Sequence, residues 1–199
     1  AVIYTFTTRS IPAQTTPEKI IVLDDSAEQE EVVNPISFIT GKVTKVSKVY
    51  EDKKAVKDKR IIHIKGSNNL EASFVISSKT LFITESNVNS IKVGDTFTGY
   101  YDNTKPMILI YPAQYDAIAV ASNVKKATIK VDVFNDELIS SDGTLKINIA
   151  KFTKIVDQNG KKYNGEIKNK NIVVLYKYST DSIPEQTNPF KIIVLDDLK

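Results

Sequence analysis

The sequence predicts an all-β fold: two tandem, related, small antiparallel β-barrel or sandwich modules of OB-like form, preceded by an N-terminal β ribbon. Three observations carry this reading. Apolar and polar residues alternate over stretches of about four to eight positions, the mark of a half-buried strand. Those stretches are rich in Val, Ile, Thr, Tyr and Phe, which suit a pleated surface. Turn-forming sequences interrupt them at short intervals, as in barrels and sandwiches.

In chain order the alternation predicts strands at Val2–Phe6, Lys19–Leu23, Ile39–Val49, Ile61–Lys65, Leu70–Ile76, Thr80–Thr84, Thr96–Tyr101, Tyr115–Ser122, Thr128–Phe134, Thr144–Ile149, Thr153–Asp157, Ile172–Tyr178 and Phe190–Leu195. Turns are expected at Lys65-Gly66-Ser67-Asn68-Asn69, Val93-Gly94-Asp95, Ser141-Asp142-Gly143 and Gln158-Asn159-Gly160. Helix is scarce: the best candidate, Ser26–Val32, is too short to stand without packing.

Composition narrows the chemistry. With 199 residues, 41% hydrophobic and 26% charged, the chain has room for at most two ordinary globular domains. No apolar run approaches the roughly 18 residues of a bilayer-spanning helix. The absence of Cys removes disulfides, thiol nucleophiles and Cys-type zinc sites. A single imidazole, His63, cannot supply a multi-histidine metal site. No P-loop or dinucleotide-binding glycine pattern occurs. The opening residues lack a basic segment followed by an apolar one, so they are cytosolic or follow a removed signal. Of 27 cations only Arg9 and Arg60 carry a guanidinium, which argues against sequence-specific nucleic-acid reading. Charge is also segregated: residues 24–31 are acidic, and Lys42 to Arg60 is mostly basic.

The sharpest feature is a repeat. Tyr4-Thr5-Phe6 and the Ser10-Ile11-Pro12-Ala13-Gln14-Thr15 loop recur as Tyr176-Lys177-Tyr178 and Ser182-Ile183-Pro184-Glu185-Gln186-Thr187. Lys19-Ile20-Ile21-Val22-Leu23-Asp24-Asp25 recurs as Lys191-Ile192-Ile193-Val194-Leu195-Asp196-Asp197, with no gap. A weaker echo, Tyr111-Pro112-Ala113-Gln114, has the same Pro-x-Gln loop feeding a strand. The organisation drawn from this is a ribbon over 1–25, an acidic linker over 26–38, a first module over 39–125 and a second over 126–199. Residues 1–25 are the closing strands of a module whose body is missing, and an isolated two-stranded ribbon is marginal in water. They pair on their own chain, complete a sheet in a neighbouring molecule, or belong to a longer tandem array.

The stretches Val93-Gly94-Asp95-Thr96-Phe97-Thr98-Gly99-Tyr100-Tyr101-Asp102, Pro106–Tyr115 and Phe134–Gly143, with the Ser-Ile-Pro-x-Gln-Thr ends, resemble β modules of secreted surface proteins of spore-forming Gram-positive anaerobes. Such modules are often found beside copper amine oxidase N-terminal-like domains. The resemblance covers most of 39–199. It implies an extracellular cell- or spore-surface location and no transferable activity. The oxidase chemistry does not carry over, because it needs three His ligands and a modified Tyr.

The expectation is therefore a non-enzymatic surface protein, without cofactor, that self-associates head-to-tail into a fibre through Val2, Tyr4, Phe6, Ile20 and Val22. Two alternatives stand beside it. One is an OB-like module for glycan or single-stranded nucleic acid, with Lys53, Lys54, Lys57 and Lys59 as the polyanion-binding residues. The other is an accessory domain of a larger secreted enzyme. Asp24, Asp25, Asp196 and Asp197 are weak Ca²⁺ candidates, lacking an EF-hand loop around them. His63 reads as a structural or exposed strand residue. Gln14, Gln114 and Gln186 read as bonding backbone groups freed by the neighbouring Pro.

Overall fold

A computed structural model describes residues 2–3, 15–16, 19–20, 35–67, 69–83, 91–105 and 110–195. Its strands are β1 (Val2–Ile3), β2 (Lys19–Ile20), β3 (Ile36–Glu51), β4 (Lys54–Lys65), β5 (Glu71–Ile76), β6 (Leu81–Ile83), β7 (Thr96–Asp102), β8 (Ala113–Ser122), β9 (Thr128–Phe134), β10 (Leu145–Ile147), β11 (Lys154–Asp157), β12 (Lys170–Tyr176), β13 (Glu185–Thr187) and β14 (Lys191–Val194). The described residues are all-β, and no helix among them is long and apolar enough to cross a membrane. The expected helix over 26–32 lies outside them.

The chain divides into two units, residues 1–32 and 33–199. In the first, β1 and β2 form an antiparallel pair with Val2 opposite Ile20 and Ile3 opposite Lys19.

In the second unit, β3, β4 and β5 form an antiparallel meander, β3 also pairs with β7, and β7 pairs with β8. The ring closes because Ala72–Val75 of β5 runs parallel to Ala113–Asp116 of β8. Farther along, β8 accepts β6 in parallel, with Leu81 opposite Ala119. A closed sheet must fill its interior with side chains. Here Phe74 and Phe97, both fully buried with ring centroids 5.5 Å apart, do so together with Val43, Ile62, Ile64 and Val120. Ile62 and Ile64 share the inward face of β4, as period-2 alternation requires.

Residues 128–195 hold a four-stranded sheet, in the order β11-β14-β12-β9, and a separate two-stranded one, β10-β13. β9 pairs antiparallel with β12, β12 antiparallel with β14, β10 parallel with β13, and β11 parallel with β14. Isolated bridges join Phe134 to Ser140 and Ile139 to Lys146. The strands β13 and β14 are separated at Asn188–Phe190. Pro189 in that gap has no N–H to donate to a ladder. The loops entering β8 and β13 each carry a cis proline, Pro112 and Pro184.

A core spanning both halves joins the sheets, packing Ile36, Ile83, Tyr100, Ala119 and Ala121 with Val131, Val173, Ile193 and Leu195. A further core of Phe134, Leu145, Ile147, Ile172, Val174, Ile192 and Val194 fills the second half.

Three sequence expectations change. The expected all-antiparallel arrangement is mixed, with four parallel pairings. Lys54–Arg60, where no strand is expected, is strand: Asp52 and Lys53 both take positive φ (48° and 63°), and this tight turn lets β4 fold straight back along β3. The short strand β13 was not expected. The turns at Gly94, Gly143 and Gly160 stand where read, each glycine at positive φ.

Candidate assembly site

The repeat defines the site. In β12 and β14, Val174 lies opposite Ile192 and Leu175 opposite Lys191. In the ribbon, Val2 lies opposite Ile20 and Ile3 opposite Lys19. Subtracting 172 from each number of the first pair of contacts gives the second pair, so sequence repeat and strand register coincide. A one-residue slip would put every side chain on the wrong face, so register is a stringent criterion.

The loop between the closing strands is built by short-range hydrogen bonds. Thr187 Oγ1 donates to Tyr178 O at 2.6 Å, Gln186 N to Thr180 Oγ1 at 2.9 Å, and Thr180 N to Gln186 O at 3.0 Å. Ser182 Oγ donates to Pro184 O at 2.8 Å. The sequence repeats Thr187, Gln186, Thr180, Ser182 and Pro184 as Thr15, Gln14, Thr8, Ser10 and Pro12, with Phe6 in place of Tyr178. Environment separates the two copies. Thr187 is 2% exposed beneath the β10–β13 pairing, whereas Thr15 is exposed.

In the second module the closing pair is flanked on both sides. β9 lies beside β12, with Ile129 opposite Leu175 and Lys130 opposite Val174, and β11 lies beside β14. Of the expected assembly residues, Val2 and Ile20 are thus placed opposite one another. Tyr4, Phe6 and Val22 lie outside the described residues.

The Gln186 side chain accepts from Asn148 Nδ2 at 3.3 Å, in place of the expected backbone bond. Gln14 lies outside the described residues. Beside Gln186 an open groove of about 550 Å³ is lined by Phe152, Tyr178, Phe190, Lys177 and Asn188. Phe152 is 62% exposed and Tyr178 84% exposed. Two exposed rings among amide and ammonium groups can stack on a flat apolar face and hydrogen-bond its rim. The sequence singles out neither ring; only the position of Tyr178, past the last buried residue of β12, signals its exposure.

The basic residues gather elsewhere. β4 meets β5 only from Arg60 onward and β3 meets β7 only up to Lys42, so the intervening hairpin projects as a two-stranded arm. Lys53, Lys54 and Lys57 are exposed on it. Lys59 is tied to Glu51 at 2.9 Å, and that hydrogen bond and charge raise its pKa. Carboxylates at Glu51, Asp52 and Asp58 interleave with the cations, which weakens the arm as a polyanion site. His63 sits between Ser47 and Ser73, with Nε2 3.3 Å from Ser47 Oγ and Nδ1 2.9 Å from Ser73 Oγ. Burial, aided by the Lys45 charge, lowers its pKa. Among the described residues no group of three or more His, Cys, Asp or Glu could hold a metal ion. Asp24, Asp25, Asp196 and Asp197 lie outside those residues.

No protein-family model matches the chain, and no curated protein matches it.

Proposed function

We propose that the protein is a non-enzymatic structural component of an extracellular surface, built from repeats of an OB-like barrel and linked head-to-tail through its N-terminal ribbon. The observation that carries this reading is the shared register of β1–β2 and β12–β14. A pair in that register is a module's closing half: one edge suits a strand like β9, the other a strand like β11. Both modules within 33–199 already hold closing strands of their own. The ribbon therefore completes the module body of another copy, in place of that copy's own β12–β14. Exchange of near-identical strands is close to thermoneutral, so concentration sets the extent of linkage. A repeated head-to-tail contact that does not close on itself grows a fibre.

The test is disulfide trapping. Ile3 replaced by Cys in one copy faces Ile129 replaced by Cys in another only if the ribbon occupies that slot. A linked pair is expected, and its absence overturns the proposal.

A second reading, an OB-like module that binds glycan, is favoured by the Phe152–Tyr178 groove. Tyr178→Ala should then cut retention on immobilised polysaccharide at least about tenfold, as expected for loss of a stacking ring. Equal retention of both proteins would remove this reading.

A further inference from the structure

A buried carboxyl group lies on β9. The Asp132 side chain is 0% exposed. Its Oδ1 accepts from Ser141 Oγ at 2.5 Å and from Val133 N at 2.8 Å, but Oδ2 has no hydrogen-bond partner. Buried polar atoms are normally satisfied, so such an orphan calls for an explanation. Oδ2 lies 3.5 Å from Lys130 Nζ, which is itself in direct contact with Asp142 Oδ2. The other Asp142 oxygen, Oδ1, is held by three donors: Ser140 Oγ at 2.7 Å, Thr144 Oγ1 at 2.8 Å and Thr144 N at 3.1 Å. Lys130, Asp132 and Phe134 alternate onto one face of β9, opposite Val174, Ile172 and Lys170 of β12. The three reactive groups thus border the second module's apolar core.

We propose that Lys130 and Asp142 condense spontaneously into an intramolecular isopeptide bond, with Asp132 moving the protons. Within the resting ion pair, Lys130 passes a proton to Asp142 Oδ2. The neutral amine then attacks Cγ of Asp142, forming the C–N bond. The tetrahedral oxyanion develops on Oδ1, where the hydroxyls of Ser140 and Thr144 and the Thr144 amide already point. Asp132 gives its proton to the departing Oδ2 hydroxyl and takes one from the new nitrogen, so one water leaves and Asp132 ends as it began. No oxidant or activating group is needed. The new amide N–H then donates to Asp132 Oδ2, which supplies the missing partner.

Two physical conditions favour the step. Reacting groups fixed in contact gain effective molarities of about 10⁵ M or more, enough to overcome the preference of free amines and carboxylates to stay apart in water. The Asp132 carboxyl, 0% exposed, sits in low-dielectric surroundings that disfavour its charged form, whereas Lys130 and Asp142 are partly exposed at 22% and 28%. Burial pushes the Asp132 carboxyl up, against its bond from Ser141 and the Lys130 charge, toward the protonated form that the step uses. Burial also acts upward on Asp142, but hydrogen bonds from Lys130, Ser140 and Thr144 outweigh it.

Intact-mass spectrometry of the purified chain tests this. A mass lower by one water than the sequence requires is expected, with a branched peptide joining Lys130 to Asp142 after digestion. Lys130→Arg and Asp142→Ala should restore the full mass, and Asp132→Asn should leave most of the chain at full mass. A wild-type chain at full mass overturns the bond. Loss of water that persists in Asp132→Asn overturns the role of Asp132. The wild-type measurement decides even if a variant fails to fold.

Discussion

A chain ending at residue 171 keeps its second module folded, whereas a chain of residues 26–171 loses it. Removing 172–199 strips out β12, β13 and β14, and with them the buried side chains of Ile172, Val173, Val174, Tyr176, Ile192, Ile193, Val194 and Leu195. At about 1.5–3 kcal/mol for each fully buried side chain, this loss is as large as or larger than the 5–15 kcal/mol that holds a typical domain together. The ribbon can replace most of it. Val2, Tyr4, Ile20, Ile21, Val22 and Leu23 stand at the offset of Val174, Tyr176, Ile192, Ile193, Val194 and Leu195, identical at each position, and Ile3 replaces Leu175. Filling the slot in its own chain gives a permuted monomer, and filling it in the next gives a polymer. Hydrogen exchange at Lys154–Asp157 reads the outcome. Protection in 1–171 and rapid exchange in 26–171 is the expected pattern. Equal, rapid exchange in both would mean that the ribbon cannot close a module.

The second large effect lies inside the first barrel. Gly99 of β7 faces the ring of Phe74, and a Cβ there would sit within 2.6 Å of Phe74 Cζ. The ring cannot swing clear, since Phe97, Tyr101 and Tyr115 surround it at centroid distances of 5.5, 6.2 and 5.5 Å. Gly99→Ala therefore overpacks the barrel, at a cost of about 1–3 kcal/mol or more. Phe74→Ala leaves a cavity and costs about 3–5 kcal/mol. Because each change relieves the other, the double variant should lose clearly less than the sum of the two. Denaturant unfolding measures all three. Strict additivity would show that Gly99 and Phe74 do not oppose each other.

The strands were legible wherever one face meets the core. Ile61–Lys65 and Thr128–Phe134 were read from period-2 alternation and stand where the alternation put them. The arm formed by β3 and β4 was not legible beyond Arg60. Its two strands are held by each other rather than by a core, so Lys54–Lys59 shows no inward face to read. Parallel pairings were also invisible, because alternation tells which residues face inward and nothing about a strand's partner. The repeat located the closing strands, and the register could be checked only once the pairings were known. The Lys130–Asp132–Asp142 cluster escaped notice because a Lys-x-Asp on a strand looks like a solvated edge. The bridge from Phe134 to Ser140 is what folds the Asp142 turn back against Lys130.

The ribbon is expected to close a module in another copy, and crosslinking tests this directly. The chain has no Cys, so introduced thiols are the only ones present. Leu175 lies opposite Ile129, and Ile3 stands at the repeat position of Leu175. Directly opposed residues in an antiparallel pair have their Cα atoms about 4.5–5.5 Å apart, within the range of about 4.4–6.8 Å that a disulfide spans. Mixing a chain carrying only Ile3→Cys with one carrying only Ile129→Cys under mild oxidation should give a linked pair on a non-reducing gel. The off-register combination of Ile3→Cys with Val131→Cys should give far less. Equal yields from the two combinations, or no linked species, would contradict the account.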